Sequence, residues 1–219
     1  MSERDSTRRR AGRFLLLAAL VLVGTGCSSG SSGPSVDPQE KTDEGWAAFE
    51  SQDYGTALLA FQAAVDADEG FADAWNGLGW TRAYQEELGD AAMALQNAVD
   101  AGLTVPDARA GLAIVYRDVP DLDSAIAQAL AVLDADADWV FIHRTSVDHL
   151  DMHLVLAQCY YRKGEASFGE AQTQLDVLDP DNGLDPAAPA TWTVDGTDYL
   201  TYAEALLMAI EKAAADVGG

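Results

Sequence analysis

Hydrophobic and polar positions follow three regimes along the 219-residue chain. From Phe14 to Val23 the sequence is apolar throughout (FLLLAALVLV), with Arg4, Arg8, Arg9, Arg10 and Arg13 ahead of it. That run is too short to cross the roughly 30 Å hydrocarbon core as a helix. A basic start, a short apolar centre and small residues after it predict a secretory signal peptide over residues 1–26. Residues 27–37 are rich in Ser, Gly and Pro without apolar periodicity, which predicts a flexible tether with a span of roughly 20 Å. From residue 38 onward apolar positions return at helical spacing.

Within that third regime the pattern repeats. Gly45, Gly79 and Ala113 are separated by one constant interval, and Ala57, Ala91 and Ala125, then Phe61, Leu95 and Ala129, then Ala64, Ala98 and Val132, keep the same interval. The interval is that of a helix pair repeated without gaps over units 38–71, 72–105 and 106–139. The predicted helices run from about Glu40 to Ser51, Tyr54 to Ala67, Asp73 to Glu87 and Leu88 to Ala101, with Gly102 as a C-terminal cap. Pro106 opens the third pair, and its second helix follows Pro120-Asp121. An insertion near 138–148 separates these units from a fourth, marked by Ala157, Tyr160, Tyr161 and Gly164 and continued by Ala171, Leu175 and Leu178. A loop (DPDNGLDPAAPA), a small hairpin around Asp195-Gly196 and a last helix from about Tyr199 to Ala215 complete the predicted order. The last helix is placed to cover the open end of the stack.

The spacing, together with Trp75-Asn76-Gly77-Leu78-Gly79, which reads W-x-x-L-G, resembles the tetratricopeptide repeat family over about residues 38–180. The resemblance implies an all-α, right-handed α-α superhelix of about four helix pairs, built by setting small residues against large ones. Two positions depart from the family pattern: Arg82 stands where an aromatic residue is usual, and Ala129 where a large one is. At the other end, Val23-Gly24-Thr25-Gly26-Cys27 resembles the bacterial lipobox, with Gly24 in the place of the usual leucine. That resemblance implies a diacylglyceryl group on Cys27 and a mature chain starting there; the alternative is an ordinary signal peptide with an incidental cysteine. Ser28 after the cysteine resembles the signal that sends lipoproteins to an outer membrane where two membranes exist.

Charge narrows the partners. The formal net charge is −23 and becomes more negative once the arginine-rich leader is removed. Such a surface repels nucleic acid and anionic lipid headgroups, so no nucleic-acid partner is expected and membrane attachment falls to the acyl chains. Cys159 is the only other cysteine; it lies in an apolar run (VLAQCYY) and reads as a buried core residue.

By resemblance to the family, a concave groove lined by the first helix of each unit binds peptides or partner proteins. Its positions fall on Trp46 and Phe49, on Asn76, Trp80 and Tyr84, on Ile114 and Arg117, and on Tyr161 and Arg162. Trp46 and Trp80, one period apart, would form an aromatic platform for a ligand anchor, or alternatively pack between units or against the last helix. The family's clamp for a chain terminus is not matched, since Thr42, Trp46, Asp107 and Gly111 occupy four of its positions. An acidic C-terminal tail is therefore not an expected ligand.

Candidate chemistry concentrates in the insertion and the helix it leads into. All three histidines, His143, His149 and His153, fall there. His149 and His153 are i and i+4, a spacing used by paired zinc ligands, with Asp148 or Asp151 as a further oxygen ligand or as acids at a helix start. Residue 150 is Leu, which excludes the His-Glu-x-x-His hydrolase arrangement. The Asp134-Asp136-Asp138 alternation runs into Trp139 and Thr145 where a calcium loop needs Gly and Glu, and the aspartates around Gly183 are equally incomplete. With no phosphate loop, nucleophile triad or dinucleotide fingerprint, no enzyme and no cofactor are expected, and the pattern argues against bound zinc. The expected function is a lipid-anchored interaction scaffold in the cell envelope; the alternative is a metal-binding or metal-sensing protein using the His143 to His153 segment.

Overall fold

The structure, a computed structural model, describes residues 36–218. The expected signal peptide, Cys27 and the expected tether up to residue 35 lie outside the described residues. The elements are α1 (Pro38–Glu50), α2 (Tyr54–Ala67), α3 (Ala72–Tyr84), α4 (Leu88–Asp100), α5 (Asp107–Asp118), α6 (Leu122–Ala135), α7 (His149–Lys163), α8 (Phe168–Leu178), β1 (Thr193–Val194), β2 (Thr197–Asp198) and α9 (Tyr202–Val217). Each odd helix packs on the following even one and each pair stacks on the next, giving an α-helical solenoid of four pairs with α9 laid on α7 and α8. The hairpin β1-β2 pairs Val194 with Thr197 around Asp195 and Gly196, both at positive φ.

Local chemistry starts and stops these helices. Asp37, Asp53 and Asp121 accept backbone N–H groups at the starts of α1, α2 and α6. Asp148 and Asp151 form a capping box at α7, and Thr201 with Glu204 forms another at α9. The turns inside the first, second and fourth units pass through residues of positive φ, Gln52 (65°), Glu86 (62°) and Gly164 (98°). Only the third is glycine, so the first two carry the cost of a left-handed backbone with a Cβ.

Small against large holds the units together. A Cβ built on Gly45 or Gly77 would come within 2.6 or 2.2 Å of the Phe61 ring, and on Gly79 or Gly111 within 2.5 or 2.9 Å of Leu95. One large side chain of each second helix thus fills the gap left by glycines of its own first helix and of the next. At the third joint the sizes exchange. Ala129 replaces the large residue, and Val155 stands one period beyond the equivalents of Gly77 and Gly111 once the insertion is allowed for; both are fully buried. Arg82, in place of an aromatic residue, bridges α3 to α4 by an ion pair to Asp90 at 3.0 Å.

Two apolar cores result. The first runs through units one to three, takes in Trp139 and Phe141 of the insertion and ends on Met152, Val155 and Cys159 of α7. Cys159 is fully buried, and burial pushes its thiol up from the ordinary range. The second core joins Leu154, Ala171 and Leu175 to Leu206, Ala209 and Ile210 of α9.

Candidate functional site

The sequence-derived groove residues divide into two groups. Trp46, Phe49, Asn76 and Trp80 converge on one concave surface, yet all four are buried, the indoles of Trp46 and Trp80 at 5% and 2% exposure. The segment between α6 and α7 covers the three aromatic ones. Phe141, fully buried, stacks on Trp80 at 4.3 Å and meets Trp46 and Phe49 edge-on at 5.9 and 6.1 Å. His143 lies parallel to Trp46 at 3.7 Å, with its Nδ1 2.8 Å from Glu50 Oε1. The Arg144 guanidinium sits 4.4 Å from the Tyr84 ring centre and donates to the Tyr54 hydroxyl.

Three indoles find acceptors on the groove wall. Trp46 Nε1 donates to Asp73 Oδ2 at 3.1 Å, Trp80 Nε1 to the Asp107 carbonyl at 3.2 Å and Trp139 Nε1 to Asp107 Oδ1 at 2.8 Å. Asp73 and Asp107 hold the same place in successive units. Burial pushes the Asp107 carboxyl above its ordinary range, against the hydrogen bond from Trp139 that favours the charged form. Burial likewise raises Tyr84 and Asp151. Asn76 is 1% exposed, and neither amide atom has a hydrogen-bond partner among the described residues.

The second group lies where the third unit meets the fourth. Arg117, Gln158, Tyr161 and Arg162 line an open cleft of about 220 Å³ against Leu207, Ile210 and Glu211 of α9. Arg162 Nη1 donates to the Arg117 carbonyl at 2.7 Å, Arg117 Nε to Asp118 Oδ1 at 2.8 Å, and Tyr161 stacks on Phe168 at 5.2 Å. Ile114 is half-buried against the first core and joins neither wall as an exposed contact.

The histidines are not gathered. His153 Nδ1 bonds Gln174 Oε1 at 2.7 Å, His143 faces Glu50, and the Nδ1 of His149 is buried without a partner among the described residues. No group of three or more His, Cys, Asp or Glu side chains suited to hold a metal occurs among the described residues. Asp148 and Asp151, considered above as oxygen ligands, are engaged in the α7 capping box.

Trp139, Phe141, His143 and Arg144, none of them a groove position by the repeat, are groove contents. The available signal was the order Trp139-Val140-Phe141-Ile142-His143, in which alternate residues are aromatic or imidazole inside an otherwise acidic connection.

Comparison with curated proteins gave no match. Among solved structures the chain resembles YrrB, described as a tetratricopeptide repeat protein with an unusual peptide-binding site, at TM-score 0.59 and 16% identity over 82% of this chain and 88% of that one. It also resembles MamA, at TM-score 0.52 and 17% identity over 81% of each chain. A tetratricopeptide repeat protein from Parabacteroides merdae matches at TM-score 0.53 and 13% identity over 83% of this chain and 62% of that one. These likenesses show the fold. Residues 42–102, which hold the first two helix pairs almost whole, match the family model described as tetratricopeptide repeat.

Proposed function

We propose that the chain is a protein-interaction scaffold of the cell envelope, anchored outside the cytoplasm by lipid on Cys27. The observation that carries the scaffold reading is the concave face of the first three units, which holds the side chains of Phe141 and His143 from the segment between α6 and α7 against its own aromatic residues. The anchor rests on the leader and the Val23 to Cys27 pattern, and where two membranes exist Ser28 places the protein on the periplasmic face of the outer one. A surface open for partners, and lined by groove residues of the repeat, is the cleft between α5, α7 and α9.

Both parts are testable. Immobilised chain from Ser28 to Gly219 is offered envelope extract beside an Arg162→Glu variant of equal melting temperature. A protein retained by the first, lost by the second and confirmed by titration calorimetry as a purified partner supports the scaffold; equal capture by both removes the cleft from it, and no partner for any form of the chain sinks it. Metabolic labelling with an alkyne fatty acid should mark the full chain and not Cys27→Ser, which should also leave the membrane fraction.

A further inference from the structure

The chain's own insertion shows what its groove accepts. Trp139, Phe141 and His143 face inward while Val140 and Ile142 are 40% and 72% exposed; the alternation is that of an extended strand as far as Phe141, after which Ile142 and His143 form a turn. The main chain of the segment is turned upon itself. The Phe141 amide donates to the Val147 carbonyl, the Arg144 amide to the Phe141 carbonyl and the His149 amide to the Trp139 carbonyl. These bonds go to the loop and its exit, not to the groove wall.

The wall has an unmet requirement. Asn76 follows Asp73 by three residues and precedes Trp80 by four, so it lies on the helix stripe that holds the Trp46 indole and stacks on Phe141. Its carboxamide offers a donor and an acceptor, the pair that one peptide group of an extended ligand can satisfy. Buried at 1% exposure with both unmet among the described residues, it is an expensive arrangement for the closed form.

We infer that the groove of the first three units is a binding site for a partner segment reading aromatic, any residue, aromatic, any residue, His, Arg, extended over its aromatic positions, and that residues 139–144 are a tethered stand-in that keeps it closed. This inference rests on the scaffold reading. The stand-in supplies the aromatic anchors, the imidazole over Trp46 and the cation over Tyr84, but no main-chain partner for Asn76. A partner segment without the returning chain at Val147 and His149 leaves the main chain at its aromatic positions free and supplies all four. Tethering sets the competition: an effective concentration of about 1 mM for a short connection weakens a ligand of intrinsic Kd about 10 µM roughly a hundredfold.

The probe is a fluorescein-labelled peptide of residues 138–147, with a control peptide carrying Ala for Trp139 and Phe141. Both are titrated by anisotropy into the chain from Ser28 to Gly219 and into a variant whose residues 138–147 are replaced by a Gly-Ser stretch of equal length. The opened variant is expected to bind the probe roughly a hundredfold tighter than the native chain, to ignore the control, and to lose at least fivefold on Asn76→Ala. A variant that keeps its helical circular dichroism and cooperative melt but does not bind the probe overturns the inference. If the variant does not fold, amide exchange on the native chain decides instead. Amides of 138–147 exchanging at least tenfold faster than those of α2 and α3, and faster still with saturating probe, support a displaceable segment; protection equal to the helices overturns it. Neither failure touches capture at the Arg162 cleft, whose loss tells separately against the scaffold.

Discussion

The first three units and the fourth are built from the same helix pair, yet one concave face has become interior and the other has stayed surface. Over α1 and α3 the aromatic residues are sealed by Phe141 and His143, whereas Arg117 at the end of α5 and Tyr161 and Arg162 at the end of α7 still line an open cleft. The difference lies in what covers each face. A short loop with alternating aromatic residues closes the first, and α9, a full helix, caps the end of the second without filling its cleft. A repeat fixes where side chains point; it does not decide whether they meet solvent, a partner or the chain itself.

The largest effect that tests this contrast is on the ordinary core. Phe61→Ala, which empties the space shared with Gly45 and Gly77, should cost about 3–5 kcal/mol by urea denaturation. Phe141→Ala removes a ring equally buried in the closed form and should cost clearly less, about 2 kcal/mol, because the chain without the segment docked remains a complete solenoid. Equal losses would make the segment core and erase the distinction.

Asp107 comes next. Asp107→Ala leaves the Trp139 indole N–H without its acceptor and should cost about 1–3 kcal/mol. Asp107→Asn keeps an acceptor and removes the charge, so its effect depends on pH. The folded carboxyl is raised above its ordinary value, so the folded chain holds that proton more tightly than the unfolded one, and stability is lost as pH rises through the raised value. Relative to the native chain, Asp107→Asn should therefore melt higher at pH 7 than at pH 4.5; the reverse trend would mean that the charge is stabilising.

Smaller effects sharpen the contrast at the surface. Glu86→Gly relieves a left-handed residue in the second unit's turn and should stabilise by about 0.5 kcal/mol, the strain relief being partly offset by the freer unfolded chain. Arg162→Ala in the open cleft should change stability by less than about 0.5 kcal/mol while weakening capture of any partner seated there. A large loss of stability would show that the cleft, too, is structural.

Much of the solenoid could be read from the chain because its signals are local. The interval between Gly45 and Gly79, the alternation of small and large residues, the Gly102 stop and the Asp195-Gly196 turn all act within one helix pair, between neighbouring pairs or in one hairpin. Helix ends moved by a few residues, as at α3, expected to reach Glu87 and ending at Tyr84, where the turn through Glu86 takes over. The groove residues could be named because they recur one period apart. Their burial could not. His143 reaches Glu50 across 93 residues and Arg144 reaches Tyr54 across 90, and no periodicity announces a contact of that separation.

By itself, then, the order of amino acids determined the repeat, its interval, the small-against-large joints and the capping role of the last helix, since each follows from helix geometry and from neighbours a few residues away. Only the tertiary structure decided that the aromatic groove is closed by Trp139, Phe141, His143 and Arg144, that Asn76 is buried without a partner among the described residues, and that the three histidines lie apart. The physical reason is that burial and pairing are set by which surfaces the folded chain brings together, and a loop joining two helices is free in sequence to go elsewhere until the groove's shape and its acceptors at Asp73 and Asp107 hold it.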